Sequence, residues 1–215
     1  MYLFFDTETN GLPKNPKAPM ADTENWSRVS QLAWALYDEE EKLLYKECNL
    51  IKPIGWNFPT YESLLAEGKT HEQALKGANF FIENGYSYEK NMEEGIPIED
   101  ALDSFLVPLE KCKYIIAHNM MFDYNILGCE MIRLKLKSKN KPVKLCTKEF
   151  ATPFCKIPNP NEYYRKMGEY KWPTLTELHN KLFNTGFEGA HDAINDVYAL
   201  AKCFFEMKRL EVIKL

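Results

Sequence analysis

The stretch "YLFFDTETNGLP", residues 2–13, predicts a buried strand that ends at two acids and a turn. Four strand-forming residues, 2–5, run into Asp6, so a strand is predicted over 2–6, and Asn10-Gly11 marks a turn. Side chains two apart on a strand point to the same face, so Asp6 and Glu8 should lie side by side where a buried strand ends. Adjacent carboxylates repel each other, and burial strengthens the repulsion. A pair of solvated acids at a turn is the alternative.

The composition bounds the class of protein. The chain has 215 residues, 45% of them hydrophobic and 27% charged, which predicts a single globular domain over residues 1–215. It has no apolar run of membrane-spanning length and no signal-peptide pattern, so we expect a cytoplasmic protein with no membrane partner. The six cysteines lack metal-ligand spacing and should be reduced thiols. Because the chain has a net charge of −4, we expect any binding of nucleic acid to use a local basic surface or bound cations.

The order of predicted elements indicates the fold class. Three consecutive strands should pair as antiparallel hairpins, at 2–6, 29–38 and 43–53. Two more short strands are predicted at 114–119 and within 141–150. Helices are predicted at 96–112, 122–137, 174–183 and 192–210, with glycine-interrupted helical pieces over 61–86 and a loop over 152–173. This pattern predicts an α/β fold, a mixed sheet flanked by helices.

Two further acids have settings similar to those of Asp6 and Glu8. Asp123 lies at the start of the helix that follows the strand at 114–119, and Asp196 lies in the first turn of the last helix. Strand ends and helix starts tend to meet at a crevice along the sheet edge. Four carboxylates there would need cations, and ligation by oxygen alone suits Mg²⁺ or Mn²⁺. The alternative for Asp123, an acid that stabilises the helix dipole, is compatible with metal binding.

Three segments carry a resemblance to a known family. "FDTETNGL" (5–12), "AHNMMFD" (117–123) and "HDAINDV" (191–197) resemble, in order and spacing, the motifs of the DnaQ-like 3′–5′ exonucleases of the DEDDh group. That group includes the proofreading (epsilon) subunit of bacterial DNA polymerase III, RNase T and oligoribonuclease. The resemblance runs from residue 2 to about residue 205 and implies an RNase H-like fold. It also implies hydrolysis of single-stranded or frayed DNA from its 3′ end, releasing nucleoside 5′-monophosphates.

The resemblance implies a role for each matching residue. Asp6, Glu8 and Asp196 would hold one Mg²⁺ or Mn²⁺ ion, and Asp6, with Asp123 through water, would hold a second. His191 would be the general base, since an imidazole can accept a proton at neutral pH. Five residues from Asp196, it should lie in the loop before the helix. The positions expected to contact the substrate are Thr9, Leu12, Asn119, Phe122 and His191.

Several residues keep a second interpretation. Leu12 could be a core residue beside a turn, and His191 a loop or capping histidine. Asp192 is better explained as a helix cap. The aromatic residues between 80 and 88 could stack on bases or belong to the core. The run 133–145, with six basic residues and no acid, is a solvated helix end or a phosphate track to the site.

The alternatives for function also stay open. They are an RNA 3′-exoribonuclease, a proofreading subunit that acts only with a polymerase, and a nucleic-acid-binding domain with an inactive site. The five intact catalytic positions, and the short stretch after Asp196, favour a free-standing enzyme. The resemblance to a proofreading subunit favours DNA over RNA. A polymerase or a second copy of the chain remains a possible partner.

Overall fold

The computed structural model describes all 215 residues, and its centre is one five-stranded sheet. The strands are β1 (Tyr2–Thr9), β2 (Val29–Tyr37), β3 (Leu43–Leu50), β4 (Tyr114–Ala117) and β5 (Val143–Cys146). Their order across the sheet is β3-β2-β1-β4-β5. The β1–β2 and β2–β3 pairs are antiparallel, whereas β1–β4 and β4–β5 are parallel. The predicted α/β fold with a mixed sheet is therefore confirmed.

Helices cover both faces of this sheet. They are α1 (Tyr61–Ala66), α2 (His71–Glu83), α3 (Tyr88–Glu94), α4 (Ile98–Leu109), α5 (Met120–Arg133), α6 (Thr147–Cys155), α7 (Glu162–Lys166), α8 (Leu175–Phe183) and α9 (Ala193–Arg209). None of them combines the length and the apolar character that crossing a bilayer requires. The six cysteines are unpaired.

Alternation along β1 divides the core into two layers. Phe5 packs against Phe105 of α4, with ring centroids 5.7 Å apart, in the cluster that also contains α5. Phe4 points the other way and packs against Phe204 of α9 at 5.3 Å. Successive residues of β1 therefore face α4 and α5 on one side and α9 on the other.

Residues 152–173 contain more helix than the predicted loop. Helix α6 continues to Cys155 and includes Pro153, and α7 covers Glu162–Lys166. Ala151 of α6 is fully buried in the same core cluster as Leu178 of α8. Packing of this kind stabilises a short helix that its own sequence would not. The loop prediction was wrong for this part of the segment.

The glycines between residues 61 and 86 have two different functions. Gly68 and Gly85 have positive φ angles, 82° and 73°, and follow the ends of α1 and α2 as predicted. Gly77 instead lies inside α2, where a Cβ atom would come within 2.9 Å of Leu64 Cδ1. It permits close packing of α1 on α2 and does not interrupt the helix.

Candidate active site

The four predicted metal ligands meet at the end of β1. The alternation along this strand directs Asp6 and Glu8 toward α9, whose first turn carries Asp196. Asp123 lies in the first turn of α5, on the other side of the sheet. Together they line a cleft of about 200 Å³. The full lining is Asp6, Thr7, Glu8, His118, Asn119, Phe122, Asp123, Leu175, His191 and Asp196.

Burial and mutual repulsion favour the neutral form of these carboxyl groups. Burial, then the charges of Asp123, Asp196 and Glu8, hold the pKa of Asp6 well above its usual range. Burial and the same kind of repulsion raise the pKa of Glu8 to about 8. Burial raises the pKa of Asp196 to about 6. The cleft therefore concentrates acids that need a compensating positive charge to be ionised together.

Thr7 orients Asp123 from the opposite face of β1. Its backbone N–H donates to Asp123 Oδ1 at 3.1 Å, and its hydroxyl donates to the same oxygen at 2.8 Å. Burial raises the pKa of Asp123 to about 7, although these hydrogen bonds to Thr7 oppose the shift. Thr7 is not among the site residues predicted from the sequence. The alternation of side chains along β1 could have identified it. If Asp6 and Glu8 point to one face of the strand, Thr7 between them points to the other.

His191 lies in the loop immediately before α9 and is exposed. Its backbone N–H donates to Asp196 Oδ2 at 3.1 Å, and potential ligand atoms of Glu8, His191 and Asp196 lie within 4.8 Å of one another. The loop is tight, because a Cβ at Gly189 would lie 2.4 Å from Asn195 Nδ2, and the Gly189 φ is 71°. The imidazole therefore borders the same cleft as the acids.

A second set of contacts holds this loop from the far side. The Tyr86 hydroxyl lies 3.0 Å from the carbonyl oxygen of His191 and 2.8 Å from Gln31 Oε1, and these two acceptors share its single proton. Gln31 Oε1 also accepts from the backbone N–H of Ala193 at 3.0 Å. The Phe80 ring packs edge-on against the His191 ring, with centroids 5.5 Å apart. The segment between β3 and α4 thus contacts both the backbone and the ring of His191.

The aromatic residues of that segment divide between core and surface. Phe81 and Tyr86 are buried in a small cluster with Phe58. Phe80 and Tyr88 are partly exposed, at 37% and 40%. Phe81 and Tyr86 are therefore core residues, which was one of the two interpretations of these aromatic residues.

Asn119 and Phe122, two of the residues expected to contact substrate, line the cleft. Asn119 immediately precedes α5 with a left-handed backbone, φ 114°, and its Oδ1 accepts a hydrogen bond from Lys148 Nζ at 2.6 Å. This places one cationic side chain beside the cleft. The sequence analysis did not identify Lys148 as a site residue.

Thr9 and Leu12, the other two such residues, do not line the cleft. The Thr9 hydroxyl donates to the Gly11 carbonyl at 2.6 Å, which stabilises the turn after β1. Leu12 is 84% exposed and is therefore not a core residue. Substrate contacts by these two residues stay predictions.

His118 also lines the cleft, and its ring is fixed by two contacts. Nδ1 lies 2.9 Å from Thr147 Oγ1, and Nε2 lies 3.0 Å from the Pro173 carbonyl oxygen. Burial lowers the pKa of His118 to about 4, so the ring is neutral near pH 7. These two contacts give His118 a structural role at the cleft wall.

Asp192 occupies the N-cap position of α9, but its carboxylate caps no backbone N–H. The carboxylate instead accepts from Gln31 Nε2 at 3.2 Å and from Asn195 Nδ2 at 3.3 Å. The predicted cap position is therefore confirmed, whereas the side-chain capping bond is absent because the carboxylate accepts from these two amides instead.

The first residues of the basic run over 133–145 lie far from the cleft. Arg133 is paired with the buried Glu130 at 3.0 Å, and Lys135 follows the last turn of α5. Asp123 is at the opposite end of this helix, which at 1.5 Å per residue is about 20 Å long. The solvated helix end therefore describes Arg133 and Lys135. Lys144, at the other end of the run, lies 4.1 Å from the centroid of the Tyr124 ring, next to Asp123 in α5, so for this residue a phosphate contact stays a prediction.

Comparisons with known proteins show the fold. No family model matches this chain, and no curated protein sequence matches it. Several solved structures are similar to this chain. An exonuclease I structure shares 21% identity over 97% of this chain and 40% of that one, with a TM-score of 0.59. E. coli exonuclease I in complex with a dT13 oligonucleotide shares 19% over 98% and 42%, with a TM-score of 0.58.

A full-length 3′-exonuclease is similar as well, with 13% identity over 98% of this chain and 61% of that one, and a TM-score of 0.59. The chain thus spans about two fifths of the exonuclease I structures. At identities this low, the similarity to these exonucleases shows the fold alone, which is an RNase H-like α/β fold.

Proposed function

We propose that this chain is a metal-dependent 3′–5′ exonuclease that hydrolyses single-stranded or frayed DNA and releases nucleoside 5′-monophosphates. The observation that carries the proposal is the convergence of Asp6, Glu8, Asp123, Asp196 and His191 on one cleft. The similar structures support it, since they are exonucleases and E. coli exonuclease I was crystallised with dT13 and dA16 oligonucleotides.

The donor set of the cleft fits hard divalent cations. The seven ion pairs of the structure include none of the four cleft acids. Carboxylate oxygens suit Mg²⁺ or Mn²⁺. Asp6, Glu8 and Asp196 would hold one ion, and Asp6 with Asp123 a second. When bound, such a pair supplies Lewis acidity for phosphodiester hydrolysis.

His191 is the proposed general base. Its exposed ring lies next to Glu8 and Asp196, while the bond from its backbone N–H to Asp196 holds the loop. The imidazole takes a proton from the attacking water. The water oxygen bonds to phosphorus, and the 3′-oxygen of the preceding nucleotide leaves. The phosphate therefore stays on the released nucleotide as a 5′-monophosphate.

Asn119, Phe122, Thr9 and Leu12 are proposed to contact the terminal nucleotide. Asn119 and Phe122 already line the cleft, and an aromatic ring can stack on a base without selecting its identity. Leu12 is exposed and free to contact a base. DNA is the preferred substrate, because the oligonucleotides bound to exonuclease I are deoxyribonucleotides.

The test uses 5′-labelled single-stranded DNA and RNA of one sequence with Mg²⁺ or Mn²⁺. The wild type should shorten the DNA from its 3′ end, faster than the RNA. The Asp123→Asn protein should be inactive. Asp103→Asn, an exposed acid on α4, is the matched control and should behave like wild type. Internal cleavage, or equal activity in Asp123→Asn, would refute the proposal, and faster RNA cleavage would refute the DNA preference.

A further inference from the structure

Trp172, between α7 and α8, is an aromatic residue at the edge of the cleft and is 63% exposed. The chain around it is fixed to residues of the cleft. The carbonyl of the next residue, Pro173, is bound by the His118 ring at 3.0 Å, and Leu175 lines the cleft. A large aromatic surface is therefore held at the cleft edge and is open to solvent.

Lys148 connects this indole to the interior of the cleft. Its Nζ lies 4.0 Å from the centroid of the Trp172 ring and donates to Asn119 Oδ1 at 2.6 Å. Asn119 lines the cleft. The indole and the ammonium group are thus neighbours on one surface that continues into the cleft.

The charge of Lys148 is not neutralised by an ion pair within the protein. Lys148 takes part in none of the seven ion pairs, whereas Lys171, the residue before Trp172, is paired with Glu177. The whole chain has a net charge of −4. A cation beside a cleft rich in carboxylates is suited to a phosphate of a strand that enters that cleft.

We propose that Trp172 and Lys148 form a binding platform for one unpaired nucleotide, on the 5′ side of the scissile phosphate. The indole stacks on the base and the ammonium group contacts an adjacent phosphate. This inference rests on the proposed function and extends it to a nucleotide outside the cleft. A strand whose 3′ end lies in the cleft must leave across its edge in the 5′ direction. Bases in a duplex are already stacked and paired, so the platform selects single strands.

The test compares KM and kcat on 5′-labelled single-stranded DNA for Trp172→Ala and Trp172→Phe. The alanine variant should raise KM about tenfold with kcat unchanged, and phenylalanine should recover most of the loss because it keeps an aromatic face. Tyr45→Ala is the control, since Tyr45 is 58% exposed on β3 and pairs with the end of β2 remote from Asp6. Lys148→Ala should reduce the slope of log KM against log salt by about one.

A single abasic nucleotide, moved along the oligonucleotide, locates the stacked base. At one position it should raise the KM of wild type by the same factor as Trp172→Ala, and it should have no further effect in that variant. An unchanged KM in Trp172→Ala, or an equal abasic penalty in both proteins, would overturn the platform.

Binding of a fluorescein-labelled dT oligonucleotide in EDTA, followed by anisotropy, separates this inference from the proposed function. If wild type hydrolyses nothing, the proposed function fails, yet weaker binding by Trp172→Ala still supports the platform. Equal affinity of the two proteins overturns it.

Discussion

The hydroxyl of Tyr86 donates to the carbonyl oxygen of His191 at 3.0 Å. Tyr86 belongs to the segment between β3 and α4, and its ring stacks on Phe58 with centroids 6.2 Å apart. Because that ring is buried, the position of its hydroxyl is fixed by the core. This segment therefore positions the loop that presents the imidazole.

Tyr86→Phe should lower kcat about tenfold with little change in KM, because the ring stays in place while the loop loses an anchor. The loss of one buried hydrogen bond should cost about 1 kcal/mol of stability. Steady-state kinetics on single-stranded DNA checks the rate. Ile82→Ala, a 74% exposed position in the same segment, should match wild type. A wild-type kcat in Tyr86→Phe would show that the contact does not position His191.

His191→Ala should lower kcat by about 10²- to 10⁴-fold, as expected for the loss of a general base. Metal binding, measured by the rise in melting temperature on adding Mn²⁺, should persist because Asp6, Glu8 and Asp196 remain. Full activity in this variant would exclude the base role. Loss of the Mn²⁺ response would indicate that the ring is a metal ligand instead.

Glu8→Gln should stabilise the metal-free protein at pH 8 and do so much less at pH 5. The pKa of Glu8 is raised to about 8, above its unfolded value, so the folded state binds more protons between about pH 4 and pH 8. The stability due to the protonated form is present below that window and is lost as pH rises through it. Gln has no proton to lose.

Thermal melts in EDTA at the two pH values test this prediction. Each kcal/mol should shift the melting temperature by about 2–4 °C for a chain of this size. With Mn²⁺ at pH 8 the wild type should be more stable than Glu8→Gln, because only the ionised carboxylate of Glu8 binds the ion. A Glu8→Gln protein that is less stable than wild type at pH 8 without metal contradicts the account.

Thr7→Val should weaken the second metal position. It removes the hydroxyl that donates to Asp123 Oδ1 at 2.8 Å and keeps the backbone bond at 3.1 Å. The pKa of Asp123, about 7, should rise further, so less carboxylate is available. The Mn²⁺ concentration for half-maximal rate should increase about three- to tenfold. This is the size of effect expected when a carboxylate loses one charge-assisted hydrogen bond. Thr7→Ser is the control that keeps the hydroxyl, and an equal effect in both variants would implicate packing.

The sequence predicts those parts of the molecule that depend on local periodicity. The alternation in "YLFFDTET" places Asp6 and Glu8 on one face, and the spacing of His191 from Asp196 places the histidine before the last helix. The mixed sheet follows from three consecutive strands and two strand–helix units. These predictions depend only on residues that are close to one another in the sequence.

Contacts between distant residues are not predictable in this way. Tyr86 and His191 are 105 positions apart, and Lys148 and Asn119 are 29 apart. Nothing in the sequence near Trp172 indicates that the chain folds back to the cleft. Helix α6 was missed because the burial of Ala151, which stabilises it, is a tertiary property.

Product analysis by mass spectrometry shows whether the cleft acids support hydrolysis from a 3′ end. An unlabelled single-stranded DNA is incubated with Mg²⁺, with EDTA, and with the Asp6→Asn protein. We predict nucleoside 5′-monophosphates and progressively 3′-shortened strands with wild type and Mg²⁺ alone. Nucleoside 3′-monophosphates, internal fragments, or equal release in EDTA or by Asp6→Asn would contradict the account.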